Sequence, residues 1–160
     1  MASNIKTNAV RLLENANIAF TAHEYDVSDG EIDAQSIARK LGVEGDQVFK
    51  TLVAETPDKA HFVFIVPAVA SLNLKKAARA AGAKSIAMIK QKELLPLTGY
   101  IHGGCSPVGM KKQFPTFIDE TAVLYDEICV SGGRVGLNIA VNPEALAGLV
   151  NAVFADICKE

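Results

Sequence analysis

The sequence predicts an α+β domain with a mixed, mostly antiparallel sheet, and three observations carry that prediction. Runs rich in β-branched and aromatic residues are joined in pairs by turn-forming residues, as hairpins are. Between them lie segments with apolar residues at helical spacing, opened by Asp or Asn and closed by Gly. No repeat, linker or low-complexity tract divides the 160 residues, so one unit spanning residues 1–160 is expected.

Residues 4–16 place Ile5, Ala9, Leu12, Leu13 and Ala16 on one helical face. Residues 18–25 alternate Ile18, Phe20 and Ala22 with polar neighbours, a strand that delivers His23 and Tyr25 to its far end. An acidic turn over 26–33 leads into a helix over 34–41, with Asp33 as N-cap and Gly42 just past its end. Strands over 48–55 and 61–66, separated by Thr56-Pro57-Asp58-Lys59-Ala60, read as a hairpin. Period two puts Val48, Lys50, Leu52 and Ala54 on one face of the first strand, and Phe49, Thr51 and Val53 on the other. Lys50 therefore interrupts an apolar row. Either its amine is held partly out of water, where the charged form is disfavoured, or its stem packs while the ammonium reaches solvent.

A helix over 73–81, capped by Asn73 and closed by Gly82, carries Lys75, Lys76 and Arg79 as a basic face. That face is either a solvated surface or a contact for phosphate. A short strand over 85–88 and a short helix over 90–95, stopped before Pro96, come next. Residues 116–118 read as a strand ending at Asp119. Residues 126–131 and 136–141 flank Gly132-Gly133-Arg134-Val135 as a second hairpin, and Pro143 opens a last helix through Val150.

The stretch over 99–112 stands apart. It holds four of the twelve glycines, one of the three histidines, one of the three cysteines and the pair Lys111-Lys112. Glycine costs about 0.5–1 kcal/mol relative to alanine inside a helix or strand, so this is a shaped loop. Its bare N–H groups at Gly103 and Gly104 can point at an anion or a carbonyl oxygen; a tight surface turn without a ligand is the alternative.

Composition narrows the function classes. A chain 49% hydrophobic and 21% charged is globular, not disordered. A net charge of −2 argues against a broad electrostatic grip on nucleic acid, so DNA is not an expected partner, although small basic patches remain available. No apolar run approaches the roughly 20 residues of a membrane span, and Met1-Ala2-Ser3-Asn4-Ile5-Lys6 lacks a signal-peptide apolar region; a cytoplasmic protein is expected. Cys105, Cys129 and Cys158 form neither a disulfide framework nor a zinc pattern, and His23, His61 and His102 are scattered, so no metal or other cofactor is expected. The Gly-x-Ser-x-Gly elbow of many hydrolases is absent, because Ser106 is followed by Pro107 and Val108 and Gly109 arrives one residue late. A Walker loop is missing too, since no Ser or Thr follows Lys111-Lys112. Cys105 paired with a histidine is the remaining nucleophile candidate, against the ordinary role of cysteine as a small buried hydrophobe.

Several motifs in order then resemble a known family. They are Val48-Phe49-Lys50-Thr51-Leu52, Gly99-Tyr100, Gly103-Gly104-Cys105-Ser106-Pro107-Val108-Gly109, Lys111-Lys112, Pro115-Thr116-Phe117-Ile118-Asp119 and Val130-Ser131-Gly132-Gly133-Arg134 with Gly136-Leu137. Together they resemble the YbaK/EbsC family of cysteinyl-tRNA(Pro) deacylases, related to the editing domain of bacterial prolyl-tRNA synthetases. The resemblance implies a barrel-like sheet flanked by helices, and trans-editing: hydrolysis of the ester that joins a wrongly attached amino acid to the 3′ adenosine of tRNA. It implies that activity depends on Lys50, and that Tyr25, Gly103 and Ser131 line the pocket, with Thr51 and Asn138 beside them as substrate-binding residues. Gly103 and Gly104 are the expected oxyanion donors. Lys75, Lys76, Arg79, Lys111 and Lys112 are candidate contacts for acceptor-stem phosphates, and prolyl-tRNA synthetase is a candidate partner. Two positions depart from some relatives: Asp33 stands where they have phenylalanine, and Asn138 where they have aspartate. A non-catalytic module that holds a tRNA end or a nucleotide is the second reading.

Overall fold

The structure, a computed structural model, describes residues 7–160; the part of the first predicted helix before Thr7 lies outside them. Local signals set most elements. Helix α1 (Asn8–Asn15) is capped by Thr7, whose hydroxyl accepts from Val10 N–H. Strand β1 (Phe20–Glu24) leads to α2 (Ala34–Leu41), where Asp33 accepts from Ser36 N–H and Gly42 closes the helix in the left-handed region. The hairpin is β2 (Phe49–Glu55) and β3 (His61–Pro67), paired antiparallel with Lys50 opposite Val66. Helix α3 (Leu74–Ala81) is capped by Asn73, and the two-residue β4 (Ala87–Met88) follows. After α4 (Gln91–Thr98) the chain runs without regular structure to Pro115, and β5 (Thr116–Asp119) resumes the sheet. The second hairpin is β6 (Ile128–Ser131) and β7 (Leu137–Val141); α5 (Pro143–Val150) and β8 (Ala152–Ala155) complete the order.

The strands form two sheets. One has the order β1-β7-β6, wholly antiparallel; the other has the order β4-β2-β3-β5-β8, in which β3–β5 and β5–β8 are parallel. A single bridge, Val48 to Cys129, ties the start of β2 to β6. Phe49, Val53 and Ile65 from the larger sheet meet Val130, Leu137 and Ile139 from the smaller, with Leu13 of α1 and Leu146 of α5 filling the space between. The far face of the larger sheet buries Ala54, Phe64 and Val66 against Ala77 and Ala78 of α3 and against Leu72 and Ile157. Ala38 of α2 packs on Val48, Cys129 and Ala140. Period two along β2 thus divides its side chains between the two clusters as the sequence pattern requires.

The strands form two sheets joined by that one bridge, and no closed barrel is found among the described residues. One expectation needs correction, and one strand was not expected. Helix α4 does not stop before Pro96 but runs through it to Thr98. Proline removes one N–H, yet the turn is closed beyond it: Thr98 Oγ1 donates to the Leu94 carbonyl at 2.8 Å and Gly99 N–H to the Leu95 carbonyl at 2.8 Å. Finally β8, a short run directly after a helix, escapes the sequence pattern and is recruited by parallel pairing with β5.

Candidate active site

Strand β4 pairs with β2 at Ala54 and Glu55, so among the described residues the β2 edge over Lys50–Leu52 has no strand partner on that side. The gap it leaves against the smaller sheet is a cavity of about 260 Å³. Val48 to Leu52 form one wall, and Tyr25, Ser131 and Asn138 of the smaller sheet form another. Ile32, Ala34 and Ile37 close a third side, with His102, Gly103 and Cys105 of the glycine-rich loop and Leu94 of α4 completing the lining.

The polar groups are few and specific. Lys50 Nζ donates to the Ala70 carbonyl at 2.8 Å. Burial holds the amine below the usual lysine pKa, and the nearby Cys158 works in the opposite direction. Thr51 Oγ1 and Asn138 Oδ1 are buried without a hydrogen-bond partner among the described residues. Such atoms are costly to leave unpaired, roughly 1–3 kcal/mol each, and both belong to residues that line the cavity. Asn138 pairs in register with His23 on one side and Ser131 on the other, so all three stand on the same sheet face. Ser131 Oγ is occupied, accepting from Gly133 N–H at 3.1 Å.

The glycine-rich loop separates its two central residues. Gly103, at φ +87°, lines the cavity, and its N–H has no backbone partner among the described residues. Gly104 does not line the cavity, and its N–H is donated to the Ile101 carbonyl at 3.0 Å. A Cβ on Gly104 would lie 3.0 Å from both Arg134 Cα and Val135 N, so this glycine exists to let the loop press against the β6–β7 turn. Gly104 N–H is therefore taken up within the loop, unlike that of Gly103. Cys105 is buried, and burial pushes its thiol up to about 12; at neutral pH it offers no thiolate. Ser106 is fully buried and its hydroxyl accepts from Val108 N–H. Tyr100 braces the loop, donating its hydroxyl to the Val108 carbonyl at 2.6 Å.

The five basic residues differ in their surroundings. Lys76 is taken up by Asp156 at 3.0 Å and the Cys158 carbonyl at 3.1 Å, which removes it from the predicted basic face of α3. Lys75 and Arg79 are exposed, as are Lys111 and Lys112, the last lying 5.9 Å from the Phe114 ring centroid. None of the five lines the cavity. Sequence reasoning missed two apolar lining residues, because Ile37 looks like an ordinary helix-face residue and Ile32 lies in the acidic turn before α2. It also missed Lys40, whose Nζ donates to the Asp26 carbonyl at 2.7 Å, to Asp29 Oδ1 at 2.9 Å and to the Glu31 carbonyl at 2.8 Å. That one ammonium gathers the acidic turn that carries Ile32. No group of three or more His, Cys, Asp or Glu among the described residues is arranged to hold a metal ion.

Fold and cavity define a small protein of mixed helix and sheet with a cavity between its two sheets, lined by Lys50 and by Gly103 of the glycine-rich loop. Residues 31–149 match the aminoacyl-tRNA editing domain family. The chain is 43% identical over 152 residues, 95% of its length and 93% of the relative's, to the Enterococcus faecalis protein named "Putative Cys-tRNA(Pro)/Cys-tRNA(Cys) deacylase EbsC". It is 30% identical over 99 residues to a proline–tRNA ligase of Shouchella clausii, of which it spans 17%. A solved structure described as "a putative trans-editing enzyme for prolyl tRNA synthetase" superposes with a TM-score of 0.83 at 26% identity, covering 97% of this chain and 99% of the other. The chain belongs to the aminoacyl-tRNA editing domain family, as a member of its YbaK/EbsC branch.

Proposed function

We propose that this chain is a trans-editing deacylase that hydrolyses cysteine wrongly attached to tRNA(Pro), with cysteinyl-tRNA(Cys) as a second substrate. The observation that supports the reading is a shared cavity lined by Lys50, Thr51, Gly103 and Asn138; among the described residues Gly103 N–H has no backbone partner, and Thr51 Oγ1 and Asn138 Oδ1 have no hydrogen-bond partner. An aminoacyl ester is already activated, so the protein needs to position it and stabilise the developing oxyanion. Gly103 N–H is the oxyanion donor, worth roughly 2.7–4 kcal/mol when well aimed. Lys50 orients the terminal ribose or phosphate and forms no Schiff base. Thr51 and Asn138 hold the aminoacyl group, and Tyr25 and Ser131 shape its surroundings.

The substrate supplies its own nucleophile. Its thiol sulfur bonds to the ester carbon, the carbon–oxygen bond to the ribose breaks, and the thiol proton passes to the departing ribose oxygen. Free tRNA leaves, and water opens the cyclic thioester to cysteine. No protein nucleophile is required, which agrees with the buried, protonated Cys105. Exposed Lys111, Lys112, Lys75 and Arg79 meet the acceptor stem, and a prolyl-tRNA synthetase supplies tRNA selectivity. Deacylation of cysteinyl-, alanyl- and seryl-tRNA(Pro) tests the reading. Cysteinyl-tRNA(Pro) is turned over fastest, and Lys50→Ala loses that activity. Tight binding of tRNA without turnover of any of the three would replace the enzyme by a binding module.

A further inference from the structure

Lys50 is not aimed by its own strand alone. Among the described residues its hydrogen-bond acceptor is a carbonyl in the connection between β3 and α3, that of Ala70, and that connection has little internal support. Ala68 N–H reaches the Val48 carbonyl at 2.7 Å and Ala70 N–H the Pro67 carbonyl at 2.9 Å, but from Ser71 onward the backbone bonds go elsewhere. Lys159 N–H donates to the Ser71 carbonyl at 2.9 Å, Leu72 bridges antiparallel to Cys158, and Asn73 N–H donates to the Ile157 carbonyl at 2.8 Å.

The other side of this short ladder is anchored at two points. Ile157 N–H donates to Asp119 Oδ1 at 3.2 Å, and Asp119 is almost completely buried at the end of β5. Its second oxygen accepts from Thr121 N–H at 3.2 Å and Thr121 Oγ1 at 2.5 Å. Lys76 of α3 grips the same segment through Asp156 and the Cys158 carbonyl. Hydrogen bonds therefore lead from a buried carboxylate, through residues 157–159, to Ser71, the residue next in the chain to the Ala70 carbonyl that holds the Lys50 ammonium.

We propose that the 156–159 segment is a strap that positions Lys50, with Asp119 and Lys76 as its anchors. None of these residues lines the cavity, so their action is through the Ala70 carbonyl. The strap gives a half-buried, four-carbon side chain one preferred direction, and misplacing a reacting group by about 1 Å can cost on the order of 10²-fold in rate. The inference rests on Lys50 being the working amine of the proposed deacylase.

Lys159 is exposed, which allows a clean pair of variants. Lys159→Pro removes the N–H that holds Ser71, whereas Lys159→Ala keeps it and removes only the side chain. Acylation of Lys50 by acetic anhydride, followed by peptide mass spectrometry, reads the amine directly. Lys40, also part-buried and tied to Asp29, reports general loosening. The expected result is Lys50 acylation several-fold faster in Lys159→Pro, unchanged in Lys159→Ala, with Lys40 unaffected in both. For deacylation, kcat falls roughly tenfold in Lys159→Pro with KM little changed. Lys76→Ala, which loosens the same segment from the α3 side, gives the same Lys50 labelling change and decides the matter if the proline variant does not fold. Lys50 labelling equal to the parent in both variants, or a rise shared equally by Lys40, overturns the strap. A parent protein without deacylase activity overturns the proposed function instead, and the labelling arm still judges the strap.

Discussion

The cavity has two kinds of wall, and they are stabilised differently. Lys50, Thr51, Ser131 and Asn138 sit on strands, where neighbouring ladder hydrogen bonds and the core beneath fix the backbone. Ile32, His102, Gly103 and Cys105 sit on connections held by isolated devices: the Lys40 ammonium on one side, the Tyr100 hydroxyl and the close approach of Gly104 on the other. A change on the strand wall should alter turnover; a change on the loop wall, Gly103 apart, should alter stability more than turnover.

The largest effect is expected at Lys50. Lys50→Ala should lower kcat/KM for cysteinyl-tRNA(Pro) by on the order of 10²-fold or more, measured in single-turnover deacylation. Its effect on stability should run the other way. Burial lowers the amine's pKa, so between the folded and the ordinary lysine values the unfolded chain binds more protons and stability rises with pH. Below that window the folded state carries the cost of a partly desolvated charge. Lys50→Met should therefore melt at or above the parental temperature at neutral pH, with the difference shrinking as pH passes the ordinary lysine value. A large fall in melting temperature would mean that the Ala70 contact matters more than desolvation.

The two central glycines should part company. Gly104→Ala forces a Cβ against backbone atoms that cannot yield, and should destabilise the protein by about 1–3 kcal/mol in denaturant titration. Gly103→Ala meets side chains at 3.4 and 3.9 Å and strains a positive φ, and should lower kcat more than it lowers stability. Equal stability losses would erase the distinction between them.

Thr51→Val is a smaller perturbation that keeps the shape and removes a buried hydroxyl with no partner. The free protein should be stabilised slightly, by about 1 kcal/mol, while KM rises several-fold because the substrate loses its contact. The smallest effect belongs to the loop wall. Cys105→Ala should retain kcat within about twofold, because a thiol pushed up to about 12 contributes no nucleophile. Loss of turnover in that variant, with a parental circular dichroism spectrum, would reopen the reading of Cys105 as the attacking group.

Local signals explain why much of this was legible. Asp33 and Asn73 as caps, Gly42 and Gly82 as helix ends, and both hairpins are decided within a few residues of chain. The parallel pairings β3–β5–β8 are not, because their partners are distant in sequence and nothing in Ala152–Ala155 names β5 as its neighbour. At the site, alternation alone placed Lys50 in an apolar row but could not say what stood opposite. Family resemblance brought Tyr25, Ser131 and Asn138 to the same cavity. Neither route found Ile32 and Ile37, whose apolar character is equally suited to a core, or the strap, whose donors and acceptors are main-chain groups that side-chain identity does not report. At Gly104 the missing Cβ serves packing while the N–H is spent locally.

The parallel addition of β8 and the ladder that follows it have a consequence for the order of folding. Strand β2 is made early, yet the surroundings of its lysine are completed only by residues 157–159. Contacts across so long a separation in the chain form slowly. A folding chain in which residues 157–159 have not yet paired with 71–73 would hold an assembled β2–β3 hairpin while the connection that carries the Ala70 carbonyl was still untied.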